Sequence, residues 1–162
     1  MFSTGDHQLR DAGLRVTAGR LAILAAIDRM PHSDADTLCH AIQGDLPATS
    51  VQSVHNVLND LTDAGLLRRI EPAGSSARYE RRVGDNHHHA VCTDCGTIVD
   101  IDCVHGAAPC LTPESTNGFV IHTAEVTFWG LCTSCAASPV PTASRTSTGS
   151  PASAASAAIS VF

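Results

Sequence analysis

Residues 50–82 read SVQSVHNVLNDLTDAGLLRRIEPAGSSARYERR, a helical pattern followed by a hairpin pattern. Apolar residues recur every three or four positions over 51–61, Ser50 is a suitable N-cap, and Gly65 is a helix-ending signal. Two strand patterns follow, joined by the turn-rich EPAGSS link: 66–70 and 77–82. A helix followed by such a hairpin predicts a winged helix-turn-helix, a DNA-binding arrangement.

One face of the predicted helix is polar and uncharged, and carries Gln52, Ser53, His55 and Asn56. These side chains donate and accept hydrogen bonds, as a helix lying against base edges in the major groove requires. The alternative is an ordinary solvated face. In the hairpin, Arg68 and Arg69 belong to a group of arginines suited to neutralising phosphates.

Three helical patterns precede this segment. The first covers 6–12 and ends at Gly13. The second is capped by Thr17 and stops at Met30-Pro31. The third is predicted to begin at Ser33, with Asp36 in the capping-box position. Together with the hairpin, these helices predict a winged-helix DNA-binding domain over residues 1–84.

Charge divides the chain into three parts. Residues 1–84 hold nine Arg against eight Asp and two Glu, a balance of −1. Residues 85–135 hold four Asp, two Glu and no Arg, a balance of −6, and residues 136–162 add only Arg145, which completes the total of −6. The middle part also holds six of the seven cysteines and five of the nine histidines. This composition indicates a bound cation, against the alternative of a solvated acidic surface.

Two C-x-x-C pairs begin and end the middle part: Cys92 with Cys95, and Cys132 with Cys135. Each pair can direct two thiolates at one ion from a tight turn, and together they predict a tetrahedral structural Zn²⁺ site. A redox-active C-x-x-C pair and an iron–sulfur cluster are the alternatives. Since metal binding is coupled to folding, loss of one thiolate should unfold this half.

A histidine triplet precedes the first cysteine pair. In a strand, His87 and His89 lie on one face and His88 on the other. Two imidazoles on one face, with Asp100 nearby, predict a second metal site. Further strands are expected over 97–101 and 119–129, and a small unit with exposed strands favours a dimer.

Several classes of protein are disfavoured by composition. No apolar run approaches the roughly 18 residues that a membrane helix needs, and no secretory signal begins the chain. Seven cysteines without a signal favour thiolate chemistry in a reducing compartment, the cytoplasm. Cys39 is expected in the core, while Cys103 and Cys110 are either a redox pair or idle thiols. From Ala136 onward, 21 of 27 residues are Ala, Ser, Thr or Pro, which predicts a disordered tail over 136–162.

The sequence resembles the ferric uptake regulator family of metal-dependent bacterial repressors, over about residues 7–135. The blocks that carry the resemblance, in this order, are GLRVTAGR (13–20), VHNVLN (54–59), DAG (63–65), RYE (78–80), HHHAVCTDCG (87–96) and GLCTSC (130–135). The junction 84–89 and the run 125–132 look most like the branch that regulates catalase-peroxidase genes. Two departures stand out: His55-Asn56 replaces the usual Tyr-Arg, and Glu80 stands where dedicated peroxide sensors tend to have Asp.

The resemblance implies an α+β protein: an N-terminal winged helix and a small C-terminal α/β dimerisation domain, residues 85–135, with structural zinc. It also implies a regulatory Fe²⁺ or Mn²⁺ ion between the domains. Its ligands would be His32, Glu80, His87, His89 and Asp100. The family's second sensory cluster is not expected, because its positions match Ala107 and Ala124. Arg15 and Arg20 are expected to contact phosphate or the minor groove.

The expected function is a homodimeric, metal-dependent repressor that binds double-stranded operator DNA, with no enzymatic activity, organic substrate or membrane partner. Its target genes would concern peroxide defence or iron. Three alternatives remain: a zinc- or nickel-responsive member of the same family, a thiol oxidoreductase, and a zinc-stapled protein-interaction module without DNA binding. The metal that restores DNA binding, and the accessibility of the four cysteines, distinguish them.

Overall fold

The computed structural model describes residues 4–103, 113–121 and 124–137. The N-terminal half consists of α1 (Thr4–Asp11), α2 (Ala18–Arg29), α3 (Ala35–Ile42), α4 (Val51–Asp63), β1 (Arg68–Ile70) and β2 (Arg78–Glu80). The C-terminal half consists of β3 (His87–Cys92), β4 (Ile98–Asp102), β5 (Thr127–Gly130) and α5 (Thr133–Ala137). The order of elements confirms the predicted α+β architecture with a winged helix followed by a small α/β unit.

Helix boundaries follow from local capping, with one correction. The side chains of Thr17 and Ser50 accept backbone N–H bonds as the N-caps of α2 and α4, as predicted. The prediction of Ser33 as the cap of α3 is wrong: Asp34 accepts the Thr37 N–H at 2.9 Å. A carboxylate makes the stronger, charge-assisted bond, and the Ser33 hydroxyl donates instead to the Met30 carbonyl.

The core of the N-terminal half lies between α2, α3 and α4. Its most deeply buried members are Leu9, Ile23, Leu24, Ile27, Leu38, Ile42, Val54, Leu58 and Leu61. Cys39 is buried among them, as predicted. The apolar side of α4 is therefore committed to the core, so its polar side is left facing outward.

The wing is shorter than the sequence pattern indicated. β1 and β2 are antiparallel with three pairs of residues, and Arg68 lies opposite Glu80. The backbone around His32 adds to this sheet, since the His32 N–H donates to the Tyr79 carbonyl and the Tyr79 N–H donates to the Ser33 carbonyl. The loop before α3 is thus fixed to the end of the wing.

The C-terminal half is a three-stranded sheet in the order β4-β3-β5. β4 runs antiparallel to β3, with His89 opposite Asp100, and β5 runs parallel to β3. The prediction of one strand over 119–129 is wrong, because among its described residues Phe119–Ile121 and 124–126 are not strand, and β5 is Thr127–Gly130. A strand requires a neighbour for its backbone groups, and β3 pairs with β5 only along His89–Cys92.

The last described helix, α5, extends beyond the predicted end of the C-terminal domain. α5 continues to Ala137, two residues beyond the predicted domain end. The rest of the predicted tail, together with Ala107 and Cys110, lies outside the described residues. Within the part of the chain that is described, no helix is both long and apolar enough to cross a bilayer.

We expect Leu58→Ala to lower the free energy of unfolding by about 2–5 kcal/mol, because the truncation leaves a cavity in a fully buried site. Asn59→Ala, at an exposed position of the same helix, is the matched control and should change it by less than about 0.5 kcal/mol. Chemical denaturation measures both. Equal losses would contradict the assignment of α4's buried face.

Candidate metal centres

The four cysteines of the two C-x-x-C pairs meet at one end of the C-terminal sheet. Cys92 ends β3, Cys95 follows in a tight turn, Cys132 follows β5, and Cys135 lies on α5. Their Sγ atoms all lie within 4.8 Å of one another, and those of Cys95 and Cys132 are 3.8 Å apart. A tetrahedral site with Zn–S bonds of about 2.3 Å requires S···S separations of about 3.8 Å. The four residues therefore fit a zinc ion.

Backbone N–H groups point at the sulfurs of Cys92 and Cys132, and at Cys92 they favour the thiolate form. Cys132 N lies 3.3 Å from Cys92 Sγ, and Cys135 N lies 3.5 Å from Cys132 Sγ. Hydrogen bonds from the backbone N–H groups of Cys95 and Cys132 lower the pKa of the Cys92 thiol to about 6. The positive φ of Gly96, 72°, permits the turn after the first pair. All six described cysteines are free thiols: Cys39, Cys92, Cys95, Cys103, Cys132 and Cys135.

A second cluster surrounds the carboxylate of Glu80, which ends the wing strand β2 and is only 1% exposed. Its Oε2 lies 2.9 Å from His32 Nε2 and 3.4 Å from His89 Nε2. Its Oε1 lies 2.9 Å from His87 Nε2. One buried acid of the N-terminal half thus contacts two imidazoles of the C-terminal strand β3.

Asp100 completes this cluster from β4. Because it lies opposite His89 in the sheet, its Oδ1 comes within 3.7 Å of His89 Nε2, and it lies 2.8 Å from His32 Nε2. One ligand atom each of His32, Glu80, His89 and Asp100 falls within a common 4.8 Å span. His87 is outside that group of four and joins it through the other oxygen of Glu80.

The electrostatics of the cluster suit a cation. Burial by itself raises the pKa of Glu80, but hydrogen bonds from His32 and His89 hold it well below its usual range. Burial by itself lowers the pKa of His32, yet the bond to Glu80 and the charge of Asp100 raise it above its ordinary value. Two carboxylates gathered around imidazoles form a mixed nitrogen and oxygen donor set, which fits a divalent first-row metal ion.

The backbone at His32 is specialised for this position. Its φ of 61° is left-handed, which is uncommon for a residue other than glycine and is costly unless the surroundings enforce it. The bond from its N–H to the Tyr79 carbonyl, 2.9 Å, holds the loop in place. This conformation brings an imidazole from the loop between α2 and α3 to the end of the wing.

The residues predicted to contact DNA fall into two groups. Arg15, Gln52, Ser53, His55 and Asn56 are exposed. The others are engaged with acidic side chains of the chain itself. Arg20 pairs with Asp60 at 2.6 Å, and Arg69 pairs with Glu71.

Arg68 is directed to the second metal cluster. Its Nη1 lies 3.4 Å from His87 Nε2, and its Nε lies 3.9 Å from Glu80 Oε1. The sequence reasoning missed this proximity, together with Arg82, Asp85 and Asp102, which lie beside the same cluster. The position of Asp85 two residues before His87 is the feature of the sequence that could have indicated their contact. In the described parts of the chain, metal-binding side chains form these two groups and no third.

Comparisons with known proteins agree with the geometry. The model of the ferric uptake regulator family matches residues 11–128. A Mycobacterium tuberculosis (strain ATCC 25618 / H37Rv) protein named transcriptional regulator FurA is 55% identical over 140 residues, 85% of this chain and 95% of that relative. The peroxide operon regulator of Bacillus subtilis (strain 168) is 32% identical over 133 residues, 78% and 88% of the two chains.

A solved structure extends the similarity to the fold. The Vibrio cholerae ferric uptake regulator aligns with a TM-score of 0.58 and 25% identity, over 78% of this chain and 98% of the other. The family match spans well over half of the sequence and includes the wing and most of the ligand residues. The chain therefore belongs to the ferric uptake regulator family of metal-dependent transcriptional repressors.

Proposed function

We propose that the protein is a homodimeric repressor whose DNA binding requires Fe²⁺ or Mn²⁺ at the second cluster, with Zn²⁺ as a structural ion at the four cysteines. The observation that carries the proposal is the composition of the cluster, because His32 and Glu80 belong to the winged-helix half and His87, His89 and Asp100 to the other half. An ion held by both halves would fix the angle between them.

The proposed roles of the two ions follow from their donors. Four thiolates suit Zn²⁺ in a closed structural site, and all four come from the C-terminal half. Imidazole with carboxylate suits Fe²⁺ or Mn²⁺. A bound regulatory ion would supply positive charge between Glu80 and Asp100 and so favour the arrangement in which the two halves meet.

The proposed DNA interface centres on α4. Gln52, Ser53, His55 and Asn56 would read base edges, and Arg15 would contact phosphate, since all five are exposed. Arg20, Arg68 and Arg69 would reach phosphate only by leaving their acidic partners. Residues 1–84 carry a net charge of −1, so we infer that binding depends on local placement and on two copies acting together.

The proposed dimer interface is the outer face of the C-terminal sheet. On this face, Ala90 of the central strand lies between Val99 of β4 and Phe128 of β5. Val99 and Phe128 are 52% and 48% exposed. Ile101, on the same strand as Val99 and two residues along, is also exposed. Contiguous exposed apolar surface of this kind is typical of a protein–protein interface. We take residues 1–84 as the DNA-binding domain and 85–135 as the dimerisation domain.

The target genes are proposed from the named relatives. The peroxide operon regulator supports control of peroxide-defence genes, and the ferric uptake regulator family supports control of iron genes. The resemblance of residues 84–89 and 125–132 to the branch that regulates catalase-peroxidase genes adds those genes to the proposal. A repressor of this kind acts at operator DNA in the cytoplasm, and we assign it no enzymatic activity. The zinc- or nickel-responsive alternative makes a different prediction about the activating metal.

We expect Fe²⁺ or Mn²⁺ to restore retention of the upstream DNA to protein that has lost its regulatory ion by mild chelation but keeps its zinc. The reason is the mixed nitrogen and oxygen donor set. Anaerobic gel retardation with each metal, at fixed salt, measures this. Restoration by Zn²⁺ or Ni²⁺ alone would contradict the proposed metal, and no response to any divalent ion would contradict the function.

We expect His87→Ala to abolish metal-dependent DNA binding while leaving zinc content unchanged, because the cysteine site is separate. The melting temperature should fall, since Glu80 loses a buried partner, but by less than in a variant that loses zinc. Cys95→Ser should instead release zinc and unfold the C-terminal half. Metal analysis, thermal melting and DNA retention are measured for both variants. Equal loss of melting temperature in the two would argue against separate structural and regulatory sites.

We expect Val99→Asp to yield monomers with zinc retained, because a buried charge at the proposed interface has no partner. Val83→Asp is the matched control, since Val83 is also exposed but belongs to the segment between β2 and β3 rather than to a strand of this sheet. Sedimentation velocity measures the mass of each. Dimers of the Val99→Asp protein as stable as wild type would place the interface elsewhere.

A further inference from the structure

The segment between β2 and β3 holds a carboxylate that contacts the metal cluster from outside. Asp85 Oδ1 lies 2.8 Å from His87 Nδ1. The other ring nitrogen of His87, Nε2, lies 2.9 Å from Glu80 Oε1. The imidazole of His87 is thus held between two acids, one inside the cluster and one outside it.

The hydrogen-bonding capacity of these groups determines which nitrogen can bind an ion. An ionised carboxylate only accepts, and a neutral imidazole carries a single N–H. Acids face both ring nitrogens, but Arg68 Nη1, which can only donate, lies 3.4 Å from Nε2. The single N–H therefore lies on Nδ1, toward Asp85, and Nε2 keeps its lone pair for a metal ion beside Glu80. A carboxylate behind a ligating histidine fixes the orientation of the ring and raises its basicity.

Asp85 is itself held in place by Arg82. The guanidinium Nε donates to Asp85 Oδ2 at 2.5 Å, and Nη2 donates to Asp102 at 2.5 Å. Its Nη1 lies 3.6 Å from Asp100 Oδ2, on the side chain whose Oδ1 faces His32 and His89. One arginine thus contacts the acid behind His87 and the carboxylate of a second proposed ligand.

We propose that Asp85 is a positioning residue of the regulatory metal site: held by Arg82, it fixes the ring orientation and tautomer of His87 so that Nε2 can ligate the ion. This inference rests on the proposed function, because it concerns the same site. It adds an outer residue, on the segment that links the two halves, to the direct ligands.

The first test is a variant series in full-length protein loaded with zinc. Asp85→Ala should weaken Mn²⁺ binding about 10- to 100-fold, the usual cost of losing such a residue. Asp85→Asn should weaken it less, because the amide oxygen can still accept the Nδ1 hydrogen. Asp102→Asn is the matched control: it also removes a partner of Arg82 but none of His87, and should leave Mn²⁺ affinity unchanged.

The readouts separate positioning from a structural role. The electron paramagnetic resonance signal of free Mn²⁺ gives the affinity, and zinc content and thermal melting report the fold. Mn²⁺ affinity should fall in Asp85→Ala while zinc content and melting stay near wild type. Unchanged affinity in Asp85→Ala, or an equal loss in Asp102→Asn, would overturn the proposal.

A second measurement does not depend on any variant folding. Long-range ¹H–¹⁵N spectra of wild-type protein loaded only with zinc report which nitrogen of His87 carries hydrogen. Hydrogen on Nδ1 supports the proposal, and hydrogen on Nε2 with Nδ1 bare overturns it. Failure of wild-type protein to bind Mn²⁺ or Fe²⁺ at all would instead refute the proposed function.

Discussion

The burial of the Glu80 carboxylate constrains how the two halves of the molecule meet. An ionised acid with 1% exposure is costly unless its oxygens are bonded. Its bonds come from the loop before α3 and from the first strand of the C-terminal sheet. The wing, the loop at His32 and β3 therefore meet at this carboxylate, and the contacts of His32 and Arg82 with the acids of β4 add to it.

This arrangement separates two kinds of metal chemistry. The four cysteines close the end of the C-terminal sheet, where backbone N–H groups point at Cys92 and Cys132, and all four belong to the C-terminal half. The Glu80 cluster lies across the junction instead. Under the proposed function, occupation of the first site would affect the folding of one half, whereas occupation of the second would affect the orientation of α4.

Many of the arginines form ion pairs within the chain, so few unpaired positive charges remain on the described part of its surface. All ten basic residues of the chain are arginine, and several are paired with acids of the same chain. Arg20 ties α2 to α4 through Asp60, and Arg68 lies against Glu80 and His87. The exposed residues Gln52, Ser53, His55 and Asn56 in the first half of α4 are polar and uncharged, so under the proposed function they would contribute recognition rather than general attraction.

Local spacing was enough to predict most of the elements. The caps Thr17 and Ser50, the buried stripe of α4, and the two cysteine pairs follow from neighbours a few residues apart, where geometry is fixed by the chain itself. The histidine triplet with Asp100 predicted a second metal site, and the family resemblance added His32 and Glu80 to it. The structure brings these residues together around Glu80.

Other features depend on contacts between distant parts of the chain. β5 forms at the end of the predicted 119–129 strand, where its backbone can pair with the edge of β3. Arg68, which was expected at the DNA surface, lies at the metal cluster because Glu80 is opposite it in the wing. Asp85 gained its partners from both directions, Arg82 before it and His87 after it. Residue types and spacing specify which side chains can ligate or bond. Pairing of strands and burial of charge select among those possibilities, since both are settled only when separate segments come into contact.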